Sequence, residues 1–266
     1  MDHTTTSNTP ALYAHQVTTS GRYDVKPILF DMSDPGTGKT RAHLDAFWRR
    51  RQAGGGKLLV VATKSILQPA WGNDIDRFFP GMRYAVANAA NRDRAFMQDV
   101  DAYITNHDAA VWLAKHTKYL KDVDTGIVDE STAAKNPAAQ RSKAMRKIMP
   151  AFQYRGLLSG TPNPNSVLEL WHQALLLDGG ERLGQSYWKF RSIACDPVQT
   201  GPRPEMVEWK DKPGIEAAVF DLLSYITIRH RLEDCASIPP NYVTAIHFDL
   251  PRAARAHYDD MARHAM

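Results

Sequence analysis

Cysteine is almost absent: Cys195 and Cys235 are the only two in 266 residues, and they form no CxxC pair. That argues against a disulfide framework or a thiolate zinc site and makes a reducing compartment the expectation. Long apolar runs are missing too. No stretch reaches about 18 apolar residues, so no membrane span is predicted. The opening MDHTTTSNTPALYAHQ is polar and lacks the charged-then-apolar order of a signal peptide, which points to the cytoplasm. The ten histidines show no HExxH or similar ligand spacing, so solvated or core roles are expected for them. Repeats and low-complexity tracts are also absent. Charge of one sign is in short supply: 33 Lys and Arg face 29 Asp and Glu, and the net +4 permits a polyanionic partner without requiring one.

What is present is the make-up of an ordinary globular chain, long enough for one large domain with a sizeable core. Four short apolar runs read as buried parallel strands: VKPILFDM (25–32), KLLVVAT (57–63), TGIVDE (125–130) and YRGLLSG (154–160), with a weaker candidate at 100–106. Helical spacing of Leu44, Phe47 and Trp48 fills the gap between the first two, ending in three arginines and a glycine stop. The alternation predicts an α/β fold with a central, mostly parallel sheet flanked by helices. Beyond about residue 165 the chain turns mainly helical, with helices expected over 166–180 and 215–228. The proline-rich and charged 196–214 between them reads as an exposed loop.

Residues 33–40, SDPGTGKT, follow a predicted strand and precede a predicted helix, the context a phosphate-binding loop requires. Gly36 and Gly38 allow the tight turn, with Thr37 between them, and the helix N-terminus adds positive potential. Lys39 is placed for the β- and γ-phosphates and Thr40 for Mg²⁺. Ser33 departs from the glycine that opens the strict form of this loop. Hydrolysis also needs a carboxylate at the end of a neighbouring strand, and IVDEST (127–132) supplies Asp129 for the metal and Glu130 for the attacking water. The plainer reading of that stretch is an acidic pair, Asp129 and Glu130, capping the next helix, which Ser131 and Thr132 also suit.

In this order the motifs resemble the superfamily-two helicase fold and, within it, the Swi/Snf-type DNA translocases. The likeness runs from about residue 10 to 250. LYAHQ (12–16) is similar to the adenine-reading glutamine motif, which implies Gln16 as the base contact. SDPGTGKT and DEST are similar to motifs I and II, AAKN (133–136) to the Lys-Asn pair that follows, and LLSGTPNPN (157–165) to motif III. LLVVATKSILQPAWGNDIDRFFPG (58–81) resembles motif Ia with its Gln-x-x-Trp helix, and YITNHDAA (103–110) the next strand-end motif. LDGGERLGQSYWKFR (177–191) and RHRLEDCASIPP (229–240) resemble the close of the first lobe, whereas 82–100 matches nothing in the family.

The resemblance implies a RecA-like P-loop NTPase domain over 1–250, with a linker beginning at 251–266. It implies ATP and Mg²⁺ as cofactors, double-stranded DNA as partner, and a second RecA-like lobe that supplies arginine fingers. That lobe should begin where this chain stops, so weak hydrolysis is expected of the chain alone. Thr63, Lys64, Asn106 and His107 are the implied phosphate contacts along one DNA strand, against ordinary loop polarity. Ser159, Gly160 and Thr161 are the implied coupling turn. Arg49, Arg50 and Arg51 read equally as a basic patch or a favoured helix end, and Trp71, Trp112, Trp171 and Trp188 read as core. Two other functions share these motifs: a nucleotide switch without turnover, and an unwinding helicase of the same superfamily. A small-molecule kinase would leave DEST and SGTP unexplained.

Overall fold

The computed structural model describes residues 9–163, 165–203, 205–235, 244 and 248–264. The start of the polar N-terminal stretch, Pro164 of the SGTP segment and the 236–240 end of RHRLEDCASIPP lie outside the described residues. The chain divides into two units, Met1–Ala236 and Ser237–Met266.

In the first unit, strands and helices alternate. The strands are β1 (Ile28–Asp31), β2 (Lys57–Ala62), β3 (Tyr84–Ala87), β4 (Ala102–Asn106), β5 (Val123–Asp129), β6 (Tyr154–Leu158), β7 (Cys195–Gln199), β8 (Val207–Asp211) and β9 (Thr227–Ile228). The helices are α1 (Ala14–Val25), α2 (Lys39–Gln52), α3 (Asn73–Phe78), α4 (Arg92–Phe96), α5 (Ala109–Leu113), α6 (Gln140–Ile148), α7 (Leu168–Asp178), α8 (Tyr187–Ala194), α9 (Ile215–Leu223) and α10 (Leu232–Cys235). Seven strands form one sheet in the order β3-β4-β2-β5-β6-β1-β9, and every pairing in it is parallel. The expected fold class is what the chain adopts. The second unit holds the amphipathic α11 (Arg252–His264). Among the described residues no helix is long and apolar enough to cross a membrane.

The central strands of the seven-stranded sheet are mostly apolar because helices cover both of its faces. Side chains of β2 alternate: Leu58, Val60 and Ala62 join one core with Leu44 and Phe47 of α2, while Leu59 and Val61 join the other with Leu170 and Ala174 of α7. Two strand glycines are required by close packing. A Cβ at Gly126 would lie 2.2 Å from the Phe152 ring, and one at Gly156 would lie 2.4 Å from the Tyr23 hydroxyl.

Three expectations need correction. The 196–214 stretch is not a loop: β7 and β8 pair antiparallel across it. Its strands are too charged and exposed to show an apolar period. The Asp211 carboxylate accepts Ser166 Oγ–H at 2.6 Å and Val167 N–H at 2.9 Å, anchoring the hairpin to the start of α7. The 215–228 helix stops at Leu223 and gives way to β9, the edge strand beside β1. Trp188 is 67% exposed rather than core, although Trp71 and Trp171 are buried as expected. The unmatched 82–100 segment contains β3 and α4.

Gly126→Ala should therefore lower stability by about 2 kcal/mol, the cost of overpacking a rigid aromatic neighbour. Urea unfolding monitored by circular dichroism measures it, and a midpoint equal to that of the parent would refute the packing argument.

Candidate functional site

Because the sheet is parallel, the strand ends carrying SDPGTGKT, DEST, SGTP, Thr63 and Asn106 all leave the same edge. That is where ligands gather in open α/β folds. Asp129 is not on the strand next to the loop strand, as the sequence reading had it: β6 stands between β1 and β5. The register puts Asp31, Leu158 and Asp129 in one row, so the three motifs depart at the same level.

Gly36 (φ 87°) and Gly38 (φ 76°) hold the loop in left-handed backbone that other residues rarely adopt. Lys39 opens α2, and its Nζ donates to the carbonyls of Ser33 (2.7 Å) and Asp34 (3.1 Å), spanning the loop from within. Thr37 donates its hydroxyl to Asp34 O, while the Thr40 hydroxyl makes no hydrogen bond among the described residues. Ser33 has a local explanation. It is buried, its N–H donates to Asp31 Oδ1 at 2.9 Å, and its Oγ accepts the His230 N–H at 3.0 Å. Asp34 N–H donates to His230 O, and Leu232 N–H donates to Asp34 Oδ2. A glycine in place of Ser33 would lose one of the three bonds from this loop to the segment after β9.

Gln16 is buried behind this loop. Its Oε1 accepts the Tyr13 N–H at 3.1 Å, and its Nε2 donates to the carbonyls of Thr37 (3.5 Å) and Gly38 (3.4 Å). A Cβ on Gly38 would meet that amide at 2.2 Å. Gly160 of the SGTP turn lies equally close to the loop from the other side, because a Cβ there would be 2.8 Å from Pro35 Cδ. Ser159 N–H donates to Asp31 O, and Thr161 N–H to Ser159 Oγ. The three motifs are thus packed together.

Asp129 is buried, with one N–H on each carboxylate oxygen: Glu130 N–H on Oδ1 (3.0 Å) and the Trp71 indole on Oδ2 (2.9 Å). Glu130 is exposed and has φ 51°, the one positive φ outside glycine among the described residues. Burial of its neighbourhood and the Asp129 charge push the Glu130 carboxyl above the usual range, with Lys39 pulling the other way. Lys39 and the acidic pair therefore face one another across β6. Ser131 does not cap a helix: its hydroxyl donates to Gln173 Oε1 at 2.6 Å. Lys135 is likewise engaged, with Glu169 at 2.8 Å.

The expected DNA contacts separate. Thr63 and Lys64 are exposed at the end of β2, and Asn106 is partly exposed beside them on β4. The His107 side chain instead faces inward, with Nε2 2.8 Å from Asp129 O. Burial lowers its proton affinity, so the ring is a neutral donor to that carbonyl. Arg49 pairs with Asp24 and Asp45, Arg51 with Asp101, and Arg50 stacks on Tyr154. Those arginines are occupied within the fold.

Sequence reading missed the roles of Trp71, Gln173 and a buried chain behind the loop. In that chain Tyr23 OH donates to His43 Nδ1 (3.0 Å), and His43 Nε2–H donates to Asp31 Oδ2 (3.1 Å). Only the polar residues at strand-end and helical positions, Asp31 and His43, could have signalled it.

The comparisons with known proteins bear on the family and the fold. The profile of the SNF2-related domain matches residues 21–266. Protein p41 of Acyrthosiphon pisum secondary endosymbiont phage 1 is 29% identical over 86% of this chain and 52% of its own length. The TATA-binding protein-associated factor MOT1 of Saccharomyces cerevisiae is 23% identical over 77% of this chain and 11% of its own length. The Sulfolobus solfataricus SWI2/SNF2 ATPase core in complex with dsDNA superposes with a TM-score of 0.67 at 25% identity, over 84% of this chain and 45% of that one. The chain thus spans about half the length of the phage relative.

The buried chain behind the loop gives a pH-dependent expectation. Burial raises the Asp31 carboxyl, but bonds from His43 and Ser33 together outweigh it and leave it below its ordinary value. Such a group stabilises the fold above the unfolded-state value of about 4, and the contribution fades as pH falls through the lower folded value. Asp31→Asn should cost about 2 kcal/mol at pH 7, with the difference from the parent shrinking as pH drops below about 4. Urea unfolding across that range measures it; a gap that does not change with pH would sink the charge argument.

Proposed function

The chain belongs to the SNF2-related family as a Swi/Snf-type ATPase lobe, and from that premise we propose that it binds Mg-ATP and couples its hydrolysis to movement on double-stranded DNA. The observation that carries the proposal is Lys39 and the Asp129–Glu130 pair facing one another across β6, with the SGTP turn packed on Pro35 between them.

In this reading the loop amides around Gly36, Thr37 and Gly38 receive the phosphates, and the Lys39 ammonium exchanges the Ser33 and Asp34 carbonyls for phosphate oxygens. Gln16, already against the loop, reads the adenine. The donor set suits magnesium. Thr40 offers an uncommitted hydroxyl and Asp129 a fixed carboxylate with lone pairs left over, both hard oxygens. Among the described residues no group of three or more His, Cys, Asp or Glu forms a metal cage, and a site completed by phosphate oxygens and water needs none. Magnesium would supply charge neutralisation on the phosphates. Glu130, exposed and with raised proton affinity, orients the water and takes its proton. Ser159, Gly160 and Thr161 transmit the state of the site to the DNA-facing edge, where Thr63, Lys64 and Asn106 meet phosphates of one strand. A second RecA-like lobe, in cis or in trans, provides arginine to the transition state. The DNA part is supported by the duplex-bound archaeal ATPase core that this chain resembles.

Lys39→Ala should weaken binding of a fluorescent ATP analogue by about 100-fold, the loss of a charge-assisted contact. In a protein carrying both lobes, Glu130→Gln should retain binding while lowering turnover by about 10²–10⁴-fold. Normal hydrolysis by Glu130→Gln would remove Glu130 from its role. Turnover indifferent to duplex DNA would overturn the translocase reading and favour a nucleotide switch.

A further inference from the structure

Two rings from separate DNA-edge segments converge on Asp129. The Trp71 indole donates to its carboxylate at 2.9 Å, and the His107 imidazole donates to its backbone carbonyl at 2.8 Å. Trp71 is 0% exposed and His107 8%. No other side chain among the described residues hydrogen-bonds to Asp129. Trp71 belongs to a six-residue π-helical turn, Leu67–Gly72, joined to Thr63 and Lys64 through the short turn Lys64–Ile66. His107 directly follows Asn106 at the end of β4. A π turn is rare and occurs frequently at functional sites. Here it carries the indole inward, among Leu67, Ile75, Val60, Ile104 and Ile127.

We infer that Trp71 and His107 are positioning residues that link nucleic-acid contact at Thr63, Lys64 and Asn106 to the metal-binding carboxylate of Asp129. The inference rests on the Mg-ATP reading above. The path is physical and short. A buried indole packed on all sides moves with its turn, so displacement of the exposed Thr63–Lys64 end is carried to Oδ2 by one hydrogen bond. The imidazole holds the backbone of the same residue, fixing where the carboxylate is rooted. Both segments therefore act on one acceptor residue.

A merely structural role would have the indole satisfied by the nearest buried acceptor, with no consequence for the metal. The test separates these. Trp71→Phe removes the N–H and keeps an aromatic ring. Binding of a fluorescent ADP analogue to this chain is titrated with Mg²⁺, with EDTA as the metal-free reference and with or without duplex DNA. Affinity in EDTA should be unchanged, while the Mg²⁺ needed for half-maximal tight binding should rise by about ten-fold, the usual scale for losing a bond that orients a metal-binding group. Duplex DNA should lower the Mg²⁺ requirement of the parent and leave that of Trp71→Phe unmoved. His107→Leu should lose the DNA effect, and His107→Gln, which keeps an N–H donor, should retain it; this pair decides the matter if Trp71→Phe does not fold.

A lowered melting temperature with the parental Mg²⁺ requirement would reduce Trp71 to packing and overturn the inference. So would DNA that binds the parent, by anisotropy of a labelled duplex, without shifting its Mg²⁺ requirement. A parent that fails to bind the nucleotide at all would instead remove the reading on which the inference stands.

Discussion

The arrangement depends on one strand. β6 lies between the strand that feeds the phosphate loop and the strand that ends in Asp129, and it pairs in register with both. Two strand spacings set the two motif-bearing strand ends about 10 Å apart. On the proposed reading that gap takes a phosphate chain with its counter-ion; Lys39 and Asp129 instead bond to other partners, the Ser33 and Asp34 carbonyls on one side and the Trp71 indole and Glu130 N–H on the other. The strand's own end, SGTP, occupies the floor of the gap. Gly160 is needed there because Pro35 comes within contact of where a Cβ would stand.

The phosphate loop is held from outside as well as by its glycines. Ser33 ties the loop to Asp31 below and to His230 beside it, and Asp34 is bonded twice to the same segment after β9. Gln16 closes the other side. A cradle of backbone amides binds phosphate well only when its shape does not have to be bought at the moment of binding. The departure from glycine at position 33 fits this logic, since a hydroxyl can accept the His230 N–H and a glycine cannot.

What could be read from the chain alone was local. SDPGTGKT between a strand and a helix, and DEST after an apolar run, declare themselves within eight residues or fewer, because the chemistry demands particular residues at fixed offsets. β3 (YAVA) escaped because its alanines carry little hydrophobic signal, and β7–β8 because most of the hairpin faces solvent and only Cys195 and Trp209 reach the core, too few to impose a period. Trp71 was legible as a buried ring, but its bond to Asp129 spans 58 positions and has no local signature. His107 was noticed for its place at a strand end, yet only the fold reveals that its ring turns inward.

The acidic motif and the SGTP turn are not free to move independently. Helix α7 grips both: Gln173 joins Ser131 Oγ to the Pro162 carbonyl, His172 donates to Ala134 O, and Glu169 pairs with Lys135. These contacts are buried or partly buried and mutually supporting, so their separate rupture would strand polar groups away from water. On the other side of Asp129 the turn that carries Trp71 and the end of β4 each reach that residue through one side-chain hydrogen bond, and both lie near exposed or partly exposed residues. The left-handed turn at Glu130 separates the two regimes, with Asp129 buried before it and the gripped Ser131 after it. On the proposed reading, a displacement at Thr63 or Asn106 meets Asp129 before it meets anything that α7 clamps.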